Sequence, residues 1–141
     1  MIKFFIGVLL LFLSCSIYAQ TGTVIFKVSG IQADKGGELS AGIFEKANFP
    51  KVGQQLKGTE KAVSSNYSEV TLTDVPVGTY GAVVFQDINK NKDLETNVLG
   101  YPKEPIGFAN GAKIRFGPPA FEDSTIQVLA NKTTEVIIKL K

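Results

Sequence analysis

Five oxygen-bearing side chains occupy alternate positions of one stretch: Asp87, Asn89, Asn91, Asp93 and Glu95. Hard cations such as calcium take six to eight oxygen ligands, and alternate positions of a tight loop converge on one point. The order resembles the first nine positions of an EF-hand loop. Side chains would ligate from positions one, three and five, Asp93 from its backbone carbonyl at seven and Glu95 from nine, with apolar Leu94 at eight. Two features of that loop are missing: the sixth position is Lys92 rather than glycine, and the twelfth is Val98 rather than a bidentate glutamate. Glu104, more distant in sequence, is the best candidate to replace the twelfth ligand. Lys90 and Lys92 are expected to point outward, yet their charge opposes a cation, which places the expected affinity at roughly 10⁻⁴ to 10⁻³ M. The competing reading is a polar turn whose Asp and Asn side chains cap their own backbone.

Other chemistries are weaker. The chain has no histidine and one cysteine, Cys15, which removes Ser-His-Asp and Cys-His nucleophilic sites and the usual general base near neutral pH. A carboxylate pair drawn from Asp87, Asp93, Glu104, Glu122 and Asp123, within the 87–123 region, could serve a glycan-active hydrolase. Simpler readings are a solvated Glu122–Asp123 pair and a surface ion pair of Glu104 with Lys103, so enzyme activity is the minor expectation. Tyr101, Phe108, Phe116 and Phe121 could form a stacking platform for a sugar or peptide, although aromatics over a sheet are more often lids on the core. A formal charge of +2 with scattered lysines offers no footprint for nucleic acid. The preferred reading is therefore a non-enzymatic binding or interaction module, with an exported protein, peptide or glycan as partner.

The first residues read as an address. Met1-Ile2-Lys3 supplies a positive start, Phe4 to Leu13 is apolar apart from Gly7, and Ser14 to Ala19 ends on a small residue. This is the order of a secretory signal peptide, cleaved after Ala19 to leave a single domain over 20–141 in the periplasm or outside the cell. The apolar run falls short of the roughly 20 residues that cross a bilayer, so no membrane span is expected. A lipid anchor on Cys15 is the second choice.

The elements that must position the loop are short strands. Thr23–Val28, Glu38–Phe44, Glu69–Val75, Tyr80–Asp87, Ser124–Leu129 and Thr134–Leu140 are rich in β-branched and aromatic residues with a two-residue period. Val24, Phe26 and Val28 share one face, as do Leu39, Ala41 and Ile43, and Val136, Ile138 and Leu140. Ala82 to Phe85 is apolar on both faces, which predicts a central strand covered on both sides. Pro76-Val77-Gly78-Thr79 reads as a tight turn with a positive φ at the glycine, and the last two strands as a hairpin across Ala130-Asn131-Lys132. The polar stretch from Glu45 to Asn66 reads as a connection with a short helical turn. Asp87 to Pro119 reads as one long Gly/Pro-rich loop in which only Ala112 to Phe116 is strand-like. About seven strands with this turn chemistry predict an all-β fold, an antiparallel β-sandwich.

Five ordered motifs carry a resemblance: Pro76-Val77-Gly78-Thr79-Tyr80, the Asp87 to Asp93 stretch, Gly100-Tyr101-Pro102-Lys103-Glu104, Gly107-Phe108-Ala109-Asn110, and Gly117-Pro118-Pro119-Ala120-Phe121-Glu122-Asp123. In this order they resemble the bacterial exported family called domain of unknown function 2141. Ala109 stands where that family usually has serine, and Lys90 and Lys92 where its loop has glycines. The resemblance implies an exported sandwich similar to transthyretin-like and carboxypeptidase-regulatory-like modules, and no established activity.

Overall fold

The computed structural model describes residues 18–141. Most of the expected leader, Cys15 included, lies outside the described residues. Eight strands follow in chain order: β1 (Thr21–Ser29), β2 (Glu38–Phe44), β3 (Lys57–Ala62), β4 (Ser68–Pro76), β5 (Gly78–Asp87), β6 (Ile106–Phe108), β7 (Thr125–Val128) and β8 (Thr133–Lys139). Two sheets face each other. The first has the order β4-β1-β8; the second runs β3-β2-β5, with β6 and β7 both pairing with the far edge of β5. β7 takes the Gly78 to Gly81 end of that edge and β6 the Val83 to Phe85 end. Among the described residues no helix is long and apolar enough to cross a membrane.

The two-residue period explains the core. Val24, Phe26 and Val28 from β1 meet Leu39, Ala41 and Ile43 from β2, Tyr80, Ala82 and Val84 from β5, and Val136 and Ile138 from β8, all buried between the sheets. Leu140, just past β8, completes the layer. The expected sandwich and its inward faces are therefore present. β5 is also covered on its other face, where Val83 and Phe85 are buried, as its continuous apolar run predicts.

Four expectations change. β8 does not form a hairpin with β7; it lies parallel to β1, from Thr23 against Thr133 to Ser29 against Lys139, so the sandwich is antiparallel except for this pair. A short turn can either fold a strand back on its neighbour or pass it to the facing sheet, and here it does the second. Gly22 makes room for that passage, because a Cβ there would lie 2.4 Å from the Leu129 carbonyl oxygen. Likewise Val77 passes the chain from β4 in one sheet to β5 in the other. The positive φ near this corner belongs to Asp74, at 53°, and not to Gly78. The corner is fastened by the Tyr80 hydroxyl, which donates to the Pro76 carbonyl at 2.7 Å.

The remaining two concern strands. The Glu45 to Asn66 connection contains β3, a polar, mostly exposed edge strand whose lysines and glutamate discourage pairing with another chain. The expected helical turn is present as a 3-10 turn at Lys46–Asn48. Ala112 to Phe116 forms no strand, and Ile106–Phe108 pairs with β5 instead. Gly107 permits that placement: a Cβ there would meet Ile138 Cγ2 at 2.5 Å and the Lys139 carbonyl oxygen at 2.7 Å.

Candidate functional site

β5 delivers Asp87 to the rim of the second sheet with its side chain buried. The residue before it holds the strand end in place. Gln86, fully buried, accepts the Gln32 amide at 2.9 Å and donates to the Gln32 and Gly36 carbonyls, each at 2.8 Å. This glutamine carried no signal in the sequence beyond being a polar residue in an apolar run.

After Asp87 the chain closes into a tight polar loop. Asp87 Oδ2 accepts the Lys92 amide at 2.8 Å and Oδ1 the Asn91 amide at 3.3 Å. Asn89 Oδ1 also accepts the Asn91 amide, and Asn91 Oδ1 accepts the Asp93 amide at 3.0 Å. Glu95 Oε1 receives the side-chain amides of Asn89 (2.6 Å) and Asn91 (3.1 Å). Asp93 points elsewhere and caps the Leu94 amide. Lys90 and Lys92 sit at φ values of 57° and 64°, left-handed positions that glycine enters at least cost.

The two lysines differ in what they do. Lys90 is exposed. The Lys92 ammonium leaves the loop to pair with Glu38 of β2 at 2.7 Å and with Glu60 of β3. The hydrogen bonds to Glu38 and then Glu60 raise the lysine pKa, and the bond from Lys92 lowers that of Glu38.

Beyond Glu95 the chain makes a closed excursion and returns. Thr96 bridges to Pro102, the Lys103 amide donates to the Glu95 carbonyl at 2.7 Å, and Asn97 Oδ1 caps the Leu99 and Tyr101 amides. The return brings Glu104 back to the start of the polar loop, where its Oε1 accepts the Ile88 amide at 3.0 Å. Glu104 is only 6% exposed, and its second oxygen, Oε2, is buried with no hydrogen-bond partner among the described residues. Burial, then the neighbouring Asp87 and Glu95 carboxylates, push its pKa above the usual carboxylate range, against the Ile88 and Glu95 backbone groups that pull it down. Among the described residues, no three Asp, Glu, His or Cys side chains already converge tightly enough to hold a metal ion.

The outer face of the second sheet forms the floor of a cleft of about 460 Å³. Phe44, Val83, Phe85 and Phe108 make the floor; Val52 from the 45–56 connection, Leu94 from the loop and Ile114 make the walls. Lys92 and Glu60, already paired, stand at its margin with Thr96 and Gln55.

The candidate platform residues are divided. Phe108 is buried in the floor, and Phe121 packs edge-on against Phe49 with ring centroids 5.7 Å apart. Phe49 in turn meets Phe44 and Phe108 edge-on at 6.0 and 6.2 Å. Tyr101 and Phe116 are exposed, and the Tyr101 hydroxyl donates to the Arg115 carbonyl at 2.6 Å. The carboxylates are divided too: Glu122 pairs with Lys46 on the surface, whereas Glu104 is buried beside the Asp87 loop.

Residues 26–137 match a family described as an uncharacterized protein conserved in bacteria, DUF2141. The chain belongs to this family. The match spans the whole polar loop, Glu104, and the three strands β2, β5 and β6 that make the cleft floor. Neither the curated proteins nor the solved structures include a match to the chain.

Proposed function

We propose that this DUF2141 chain is an exported, non-enzymatic binding module whose ligand is a small molecule with an apolar body, taken into the cleft on the outer face of the second sheet. The cleft itself carries this reading. Ligand pockets commonly enclose roughly 300–1,000 Å³, with apolar walls and a few polar groups that set orientation, and about 460 Å³ over Phe44, Val83, Phe85 and Phe108 fits that description. Part of that apolar face is covered by Phe49, Ile106, Ala112 and Ile114, which pack on Phe44, Val83 and Phe108, and the cleft opens beside this packing. Glu60 is the one carboxylate among this cleft's lining residues, so this cleft offers no facing pair for a glycan hydrolase.

Export is part of the proposal and rests on Lys3, the apolar run to Leu13 and the small residues before Gln20. The intact mass of protein recovered from its host tests it: a chain beginning at Gln20 supports soluble export, a lipidated Cys15 moves the module to a membrane surface, and an uncleaved Met1 removes the reading. The cleft is tested with anilinonaphthalene sulfonate, an apolar anionic fluorophore. Wild type is expected to bind it saturably while folded. Leu94→Glu and Val52→Glu, both in partly exposed walls, should abolish that binding without altering the unfolding midpoint. Equal fluorescence from wild type and both variants, or none from wild type, refutes the assignment.

A further inference from the structure

We infer that the Asp87 to Glu95 loop and Glu104 together form a calcium site. The inference does not depend on what the cleft binds. Its basis is the conjunction of a loop whose Asn89 and Asn91 oxygens are held by backbone amides and a buried carboxylate oxygen with no hydrogen-bond partner among the described residues. Buried polar atoms almost always find a partner, and an orphaned one calls for a missing water or ion. Glu104 Oε2 is such an atom, on a side chain whose other oxygen is fixed to the Ile88 amide, one residue beyond Asp87.

A capped polar turn explains the Asp87, Asn89 and Asn91 bonds but not the third carboxylate. The excursion closed by the Thr96–Pro102 bridge and the Lys103–Glu95 bond returns the chain to this place, and it brings a third carboxylate beside Asp87 and Glu95. Like charges held together in a partly buried site are unfavourable unless a cation joins them. Among the described residues no lysine or arginine forms an ion pair with Asp87, Glu95 or Glu104. Lys92 is committed to Glu38 and Glu60, and Lys90 is exposed.

The donors are oxygens of mixed type: carboxylates from Asp87, Glu95 and Glu104, carboxamide oxygens from Asn89 and Asn91, and the Asp93 carbonyl. Six such donors on an irregular loop match calcium, which accepts variable geometry, and not magnesium, which demands a near-ideal octahedron and keeps its waters. Asn89 Oδ1 and Asn91 Oδ1 are already oriented by backbone amides. Closure onto the ion requires Glu95 to release the two side-chain amides it now accepts, a local change in an exposed segment. That rearrangement accounts for the absence of a ready-formed acidic cluster.

The test is a calcium chloride titration of the full chain at constant ionic strength, followed by amide chemical shifts, with magnesium chloride in parallel. Saturable shifts confined to residues 87–96 and 103–105 are expected, with half-saturation at roughly 10⁻⁴ to 10⁻³ M. Glu104→Gln preserves side-chain size and the acceptor for the Ile88 amide, and it should weaken calcium at least tenfold while the spectrum stays dispersed. Glu95→Gln, on an exposed residue, should do the same. No saturable shift, an equal response to magnesium, or unchanged affinity in both variants overturns the site. A fluorophore result at the cleft has no bearing on any of these outcomes.

Discussion

Gln86→Leu isolates the contribution of one buried polar side chain to the frame that presents the loop. Gln86 is fully buried and makes three hydrogen bonds to the backbone of Gln32 and Gly36. Leucine has similar volume and no polar atoms, so the substitution leaves one amide and two carbonyls without partners. Each net hydrogen bond is worth about 1 kcal/mol, and each orphaned buried group costs about 1–3 kcal/mol. The segment is only partly buried, so water can reach some of the released groups and the low end applies: about 3 kcal/mol in total. For a domain of this size that lowers the melting temperature by about 12 °C. Urea denaturation should show a lower midpoint with unchanged slope, because the surface exposed on unfolding is nearly the same. Gln86→Glu keeps the acceptor for the Gln32 amide but turns a charge toward two carbonyls, and it should cost at least as much. A loss below about 1 kcal/mol for Gln86→Leu would show that the Gln32 to Gly36 segment is held by other contacts, and the argument from the three bonds would fail.

Three further outcomes follow from the same geometry. Calcium at 10 mM, with a dissociation constant near 3 × 10⁻⁴ M, should stabilise the wild type by about 2 kcal/mol, or about 8 °C in a thermal scan, with magnesium and chelator indistinguishable from each other; in Glu104→Gln most of that increment should vanish, while its calcium-free midpoint stays at or above wild type because one of three crowded carboxylates is gone. Tyr80→Phe removes the hydroxyl that fastens the β4–β5 corner at 2.7 Å and should cost about 1 kcal/mol in chemical denaturation. Gly107→Ala forces a Cβ to within 2.7 Å of the Lys139 carbonyl oxygen and should destabilise by about 2 kcal/mol or more, with the loss read from the same denaturation curves.

The inward faces of β1, β2 and β8 are legible because burial on one side imposes a two-residue period that composition alone reveals. Partners are not legible in the same way. Val136, Ile138 and Leu140 face the core whether β8 pairs with β7 or with β1, so the parallel β1–β8 pair leaves no trace in the periodicity. Edge strands hide for the opposite reason: β3 has almost no buried face, so Lys57-Gly58-Thr59-Glu60-Lys61-Ala62 resembles a polar connection. What a sequence could not disclose about either was decided by where the turns pass from one sheet to the other, a three-dimensional matter settled by Gly22 and Val77.

The site divides along the same line. Alternate oxygens from Asp87 to Glu95 are visible in sequence because the loop is local, and the fold keeps the Asn89 and Asn91 bonds that this spacing anticipates. Glu104 is sixteen residues from its Ile88 partner, and nothing in its neighbourhood marks it as buried; only the closed excursion does so. The motifs that carry the family resemblance fall on the points where the chain is fastened. Tyr80 holds a corner to Pro76, and Gly107 admits β6 beneath β8. Asn110 adopts a φ of 60° and donates to the Thr125 carbonyl at 2.9 Å. Glu104 holds the Ile88 amide. Glu104 alone of the four retains a buried side-chain oxygen with no hydrogen-bond partner among the described residues, while the Ile88 and Glu95 backbone groups both favour its charged form. At the proposed site, beside Asp87 and Glu95, a divalent cation is a partner whose charge and oxygen chemistry fit that oxygen, and the calcium titration of wild type against Glu104→Gln separates it from a buried water.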